Sequence, residues 1–285
     1  MASAHRTLFA LGLSALTAAG LGTIGSTHAG ANTGNPITFG VPSVVDPIHG
    51  VGEPDIAVDR AGNTFVSGPA GTGEQRSLWW SSVDGGQTYR VVQPIQDTNA
   101  SAVAGTPNAP GGGDTDIAFD NQTPQTMYYA DLAALVALRN ETSSNEGKTV
   151  TASVFPGASS SISEVDRQWQ AVYDPPTGTT SISPATTHPI LYVEYGPSPS
   201  KWYRSTDGHN FSQASTTTHT GADGFPSIDQ VTGKVFEATY SGSNIVLNIG
   251  TPDDASGDLC FLDDSTSTCG AQYGAGSGLT TIAPV

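Results

Sequence analysis

Positive charge is what this sequence has least of: 10 Lys plus Arg stand against 26 Asp plus Glu, a formal net charge of −16 over 285 residues. Such a field repels nucleic acid and anionic lipid, so functions that need a basic surface are excluded. It suits solubility outside a cell, or attraction of cations. Helix-compatible stretches are few as well, because 34 Gly and 19 Pro punctuate a chain of which only 13% is charged. Past the N-terminus, no apolar run approaches the roughly 18 residues of a membrane-spanning helix. Cysteine is confined to Cys260 and Cys269. In an exported chain that spacing favours a local disulfide. A metal pair is the alternative, though no His stands beside them to complete a zinc site. The six histidines are scattered without ligand spacing. No G-x-S-x-G elbow, H-E-x-x-H helix or P-loop occurs, which removes three common catalytic and nucleotide-binding readings.

The N-terminus has the pattern of a secretory signal. His5 and Arg6 precede an apolar run from Leu8 to about Leu21, and Ala29-Gly30-Ala31 offers small residues where signal peptidase needs them. The expectation is a signal peptide over residues 1–31 and a mature, extracellular domain over 32–285.

Four copies of one unit follow. They are GEPDIAVDRAGNTFVSG from Gly52, GGDTDIAFDNQTPQTMYYADL from Gly112, VDRQWQAVYDPPTGT from Val165 and GFPSIDQVTGKVFEATYSG from Gly224. Each opens on polar residues, continues as a short apolar strand, turns at an Asp with Gly or Pro, and returns as a strand rich in Val, Phe, Tyr and Thr. That order is a β-hairpin. Successive heads lie 53 to 61 residues apart, the length of one four-stranded propeller blade with generous loops. The predicted fold class is therefore an all-β propeller of four-stranded blades, about four of them recognisable. Two accounts of the ring stay open: closure with four blades, or an incomplete propeller. ITFGVPSVVD from Ile37 is the candidate outer strand for a terminal blade, and the tail after Asp253 shows no clear closing strand.

In two copies the second hairpin carries a diagnostic turn. SVDGGQTY contributes Ser82, Asp84, Gly86, Thr88 and Tyr89; STDGHNF contributes Ser205, Asp207, Gly208 and Phe211, is one residue shorter and lacks the Thr. The Asp carboxylate accepts amides of its own turn, and the glycines supply conformations closed to residues with a Cβ. These segments resemble the Asp box of the sialidase superfamily, and with the four copies the resemblance runs from about Gly52 to Gly242. It implies a sialidase-type propeller, a six-bladed fold whose Asp boxes are structural and lie opposite the active site. At about 57 residues each, six blades need roughly 340 residues, and 254 remain after Ala31. The resemblance is therefore to a shortened or non-catalytic relative.

In such a propeller the innermost strand of each blade starts at the ligand face, so the heads of the copies converge there. They supply six candidate ligand-binding residues, Glu53, Asp55, Asp166, Arg167, Trp169 and Asp223. Asp114 and Asp116, after three glycines, are the candidate ligands of a hard cation such as Ca²⁺, whose shell takes six to eight oxygens. The competing reading is that these acids cap strand ends or face water, with no cofactor. The resemblance also implies what a sialidase requires: three arginines for the substrate carboxylate, a Tyr nucleophile assisted by Glu, and an Asp acid/base. Only Arg167 heads a repeat; Arg60 and Arg90 fall on the turn face. Glu194 and Tyr195 are the right types, but strand neighbours point to opposite faces. Consecutive Trp79 and Trp80 face both sides of one strand, and Trp202 holds the equivalent place in a later blade, which points to packing between blades. Two functions follow. The first is a secreted, non-catalytic propeller that binds an extracellular glycan, peptide or cation; the alternative is a glycoside hydrolase of exo-sialidase type.

Overall fold

Short runs of β-branched and aromatic residues, divided by Gly, Pro, Asp and Asn, pair as strands rather than wind into helices. The computed structural model describes residues 39–69, 77–92, 113–133, 137–154, 167–196, 201–215, 224–241, 243–261 and 280–284, and strands are the only regular structure among them. Met1–Pro42 and Ser43–Val285 are separate units, and all strands belong to the second. Blade 1 comprises β1 (Asp55–Val58), β2 (Thr64–Pro69), β3 (Ser77–Ser82) and β4 (Arg90–Val92). Blade 2 comprises β5 (Thr115–Phe119), β6 (Met127–Ala133), β7 (Ala137–Ser143) and β8 (Thr151–Val154). Blade 3 comprises β9 (Gln168–Tyr173), β10 (Ile190–Tyr195), β11 (Lys201–Ser205) and β12 (Ser212–Gln213). Blade 4 comprises β13 (Pro226–Ile228), β14 (Val235–Ser241), β15 (Asn244–Pro252) and β16 (Leu259–Phe261), and β17 (Thr280–Pro284) also pairs with β15. Each sheet is an antiparallel meander in chain order. The fold is thus an all-β propeller of four-stranded blades.

The blades pack face to face. Inner strand β1 lies on β5, β5 on β9 and β9 on β13, and no packing of comparable extent joins β13 back to β1 among the described residues. Phe65, Trp79, Ile117, Met127 and Tyr129 form the core between blades 1 and 2, where the Trp79 and Tyr129 rings stack at 4.8 Å. Tyr128, Leu132, Leu138, Leu191 and Tyr195 fill the next interface. Trp202 meets Phe261 at 5.5 Å across the last. Trp79, Trp80 and Trp202 are all buried. Trp79 and Trp80 face opposite sides, as strand alternation requires.

The turn after the third strand is built alike around the propeller. In blade 1, Asp84 Oδ1 accepts the amides of Gln87 and Thr88 at 2.9 Å, Oδ2 accepts the Thr88 hydroxyl, and Ser82 Oγ accepts the Gly86 amide at 2.9 Å. In blade 3, Asp207 accepts the His209 amide at 2.8 Å and the Asn210 amide at 2.7 Å; the Asn210 side chain, also at 2.7 Å, replaces the absent Thr. Blade 2 makes the same turn with Asn145, which accepts the Thr149 amide at 2.8 Å while Ser143 Oγ accepts that of Gly147 at 2.9 Å. Blade 4 makes a relative of it with Asp254, whose Oδ1 accepts three successive amides at 2.8 to 3.1 Å.

These turns lock each blade to the one before. A Cβ on Gly208 (φ +73°) would lie 2.6 Å from Thr142 Cγ2 in blade 2, and one on Gly257 (φ +83°) 2.5 Å from Ile190 Cδ1 in blade 3. The carbonyls of the same glycines accept Asn140 Nδ2 and the Tyr192 hydroxyl, each at 2.7 Å. Among the described residues no blade precedes blade 1, and its Gly86 carbonyl accepts Ser43 Oγ at 2.5 Å instead. The outer strand expected from Ile37 does not form over residues 39–46. Asp46 Oδ1 accepts the amides of Ile48 and His49, an Asx turn that bends the chain, while Oδ2 accepts Trp80 Nε1 at 2.9 Å. The tail departs from expectation the other way, because β17 gives blade 4 an extra strand beside β15.

Candidate functional site: the head face

The starts of β1, β5, β9 and β13 lie at one end of the sheets, the head face, and the hydrogen-bonded turns lie at the other. Glu53, just ahead of β1, and Arg167, just ahead of β9, form an ion pair at 3.0 Å across the mouth. Both have left-handed backbones, φ +38° and +60°. Residues other than glycine adopt that region at a cost of about 1–2 kcal/mol each. A hydrogen bond from the Asp114 side chain, and then the Arg167 charge, hold the Glu53 carboxyl below its usual range. Beside them, Trp169 at the start of β9 meets Phe225 at the start of β13, ring centroids 5.1 Å apart and tilted by 51°. Phe225 is 61% exposed and Trp169 half-buried. The Trp169 indole nitrogen has no hydrogen-bond partner among the described residues.

Two of the predicted head residues turn inward instead. Asp55 Oδ2 accepts the amide of Ile117 at 2.8 Å, and Asp116 Oδ2 accepts that of Gln170. Each Asp thereby ties its inner strand to the inner strand of the next blade. Burial raises the Asp55 carboxyl; burial, then the nearby Asp55 charge, raises that of Asp116 well above its ordinary value. Asp55 is therefore a blade-to-blade link. Among the described residues no group of three or more His, Cys, Asp or Glu is arranged to hold a metal, around Asp114 and Asp116 or elsewhere. Strand alternation separates the two side chains, one toward Glu53 and the other into the interface. Asp166, Asp223 and Cys269 lie outside the described residues. Cys260 is buried in β16, with Sγ 3.2 Å from Asp253 Oδ2.

A third group lies deeper, between blades 1 and 2. Asp131 on β6 pairs with Arg139 on β7 and accepts Ser77 Oγ at 2.6 Å. Glu141, two residues along β7, is buried, and burial, reinforced by the Asp131 charge, pushes its carboxyl up to about 8. Sequence patterning misses this group because all three residues sit in second and third strands, away from the heads. Phe225 escapes for another reason: it lies within the fourth copy but is neither polar nor in phase with Trp169.

No protein-family model matches the chain, and no curated protein does. Solved structures do. The chain is similar to an α-L-arabinofuranosidase from Fusarium graminearum solved with an iminosugar inhibitor, at 12% identity and TM-score 0.48 over 77% of this chain and 68% of that one. It is also similar to a GH43 β-1,3-galactosidase solved with galactodeoxynojirimycin, at 10% identity and TM-score 0.44 over 74% of each chain. A glycosyl hydrolase from Bacteroides ovatus matches at 15% identity and TM-score 0.38 over 73% and 68%. The chain spans 29% to 74% of the length of such structures. With these identities and TM-scores below 0.5, no residue role or activity passes from those enzymes to this chain.

The described residues of the head face include two arginines of the three that the sialidase resemblance implies, and Arg76 lies outside the described residues. Among the described residues, Arg139 and Arg167 are at that end, and carboxylates engage both. Arg60 and Arg90 lie on the turn face, where they donate to the carbonyls of Gln122 and Glu146. Arg204 pairs with Asp258 at 2.5 Å. Tyr195 is buried in the core between blades 2 and 3, stacked on Tyr203 at 5.5 Å, and burial raises its phenol. None of this presents a nucleophile to the mouth.

Proposed function

We propose that the head face binds a glycan, and that the protein is an exported, sialidase-related binding module rather than a hydrolase. The Trp169–Phe225 pair carries this reading: two rings side by side at the starts of neighbouring inner strands, one of them mostly exposed. Aromatic faces stack on the C–H faces of sugar rings, and the Glu53–Asp114–Arg167 group beside them offers acceptors and donors for ring hydroxyls. Two strained residues in one exposed ion pair favour a functional role, since such strain concentrates at ligand sites. The Asp84 and Asp207 turns, with their relatives at Asn145 and Asp254, support the sialidase kinship. Export is supported by the N-terminal pattern and by the cysteine spacing. Hydrolysis is disfavoured by geometry. Carboxylates flanking a glycosidic bond stand about 5–5.5 Å apart in retaining and about 6.5–9.5 Å apart in inverting enzymes. Glu53 and Asp114 are in hydrogen-bond contact, which leaves no room for the bond or a water.

Calorimetric titration of the secreted protein with neutral and sialylated oligosaccharides tests the reading. Trp169→Ala and Phe225→Ala should each raise Kd at least tenfold, about 1.4 kcal/mol, with the unfolding midpoint little changed. If neither substitution alters glycan affinity, the site lies elsewhere. Turnover of an aryl glycoside would transfer the protein to the hydrolase class.

A further inference from the structure

We infer that the turn-side face holds a second site, for a neutral saccharide, in the cavity between the β5–β6 turn of blade 2 and the long β9–β10 connection of blade 3. The cavity measures about 690 Å³, within the roughly 300–1,000 Å³ of ligand pockets. Hydroxyls, amides, prolines, Tyr173 and His188 line it, with no Asp, Glu, Lys or Arg. In a chain of net charge −16, such a wall attracts no ion. It suits a ligand with many hydroxyls and no charge.

One group in that wall is held in a ligand-ready orientation. Asp174, 1% exposed, accepts His188 Nδ1 at 2.9 Å, the Asn121 amide at 2.7 Å and Gln122 Nε2 at 2.9 Å. Its backbone amide is bonded in turn to Gln230 Oε1 of blade 4 at 2.9 Å. The carboxylate accepts from Nδ1, which leaves the Nε2 edge of the ring facing outward. The imidazole is 45% exposed and lines the cavity. A buried carboxylate orienting an exposed imidazole is the arrangement by which proteins fix a histidine for an outside partner. In a wall of hydroxyls and amides, the partner that suits this ring edge is a ligand hydroxyl, which can donate to or accept from an imidazole. Across the cavity the Tyr173 and Ser181 hydroxyls bond at 2.6 Å. Pro175 and Pro176 add apolar surface to the wall. Trp169 and Tyr173 mark the two ends of β9, about 13 Å apart at the usual rise per residue, so this site and the head face are separate.

Long-range ¹⁵N–¹H spectra of the secreted protein, with xylobiose, lactose and maltose as probes, test the inference. At least one disaccharide should shift the His188 imidazole signals saturably. Thr177→Trp, an exposed substitution that fills the cavity, and His188→Gln should each raise the Kd read by calorimetry at least tenfold. The Trp169 indole signal reports the head face independently. The inference is overturned if no neutral disaccharide shifts His188, if the shift persists in Thr177→Trp, or if only the Trp169 signal responds.

Discussion

Glu53 and Arg167 are both in left-handed backbone and joined to each other. A glycine relieves about 1–2 kcal/mol of that strain but adds about 0.5–1 kcal/mol of chain entropy to be lost on folding, and an exposed ion pair contributes about 0.2–1 kcal/mol. The terms nearly cancel. Arg167→Gly should therefore leave the urea midpoint almost unchanged while weakening glycan binding, and a large stability loss would show that the pair is structural. Glu141 makes the opposite case. Its folded carboxyl titrates near 8 against an ordinary 4.5, so the native state holds a proton that the unfolded chain releases. The resulting stability is full below pH 4.5 and lost as pH rises through 8, on the order of 5 kcal/mol in all. Asp55 and Asp116, also raised, act in the same sense. Glu141→Gln should flatten the fall in stability between about pH 5 and 8 in chemical denaturation, and an unchanged slope would mean that Glu141 is ionised in the fold. At this scale the sequence showed which acids stood at strand heads. It did not show that Asp55 and Asp116 point between blades while Glu53 and Asp114 point to the mouth.

Among the elements, the turn after each third strand does two things: it closes a hairpin on an Asp or Asn, and it sets a glycine against the preceding blade. Asp84→Ala removes four hydrogen bonds from an exposed turn and should cost about 0.5–2 kcal/mol, the range for losing a comparable cap. Gly208→Ala adds a clash with Thr142 and Tyr128 to the strain of a positive φ, for a total near 3 kcal/mol. Gly62→Ala, at φ +86° in open space, should cost only about 1–2 kcal/mol. Comparison of thermal midpoints for the two alanine variants checks this, and equal losses would remove the locking role. Two of these turns were legible because Ser, Asp, Gly and an aromatic recur in register. Ser143-x-Asn145-x-Gly147-x-Thr149 has the spacing of the first turn, but Asn in place of Asp hid it. The fourth hid for a different reason, because Pro252 stands where the other three turns have Ser.

For the whole molecule, four blades pack in order, and one face of blade 1 is only partly covered. The segment from Ser43 caps its outer strands through Gly86 and Trp80. Ile56 and Val58 on its inner strand are 64% and 59% exposed. Ile56→Lys with Val58→Lys should shift the thermal midpoint by no more than about 2 °C, as surface changes do; a large drop would mean that something packs there. Local pattern determined the strands, the turns and the blade period, because those depend on side-chain alternation and turn chemistry within a few residues. Only the tertiary structure decided the rest. Whether an acid at a strand head faces a ligand or a neighbouring blade, how Trp169 meets Phe225, and how Asp174 reaches His188 all depend on the packing of one blade against the next, across more residues than any local pattern spans.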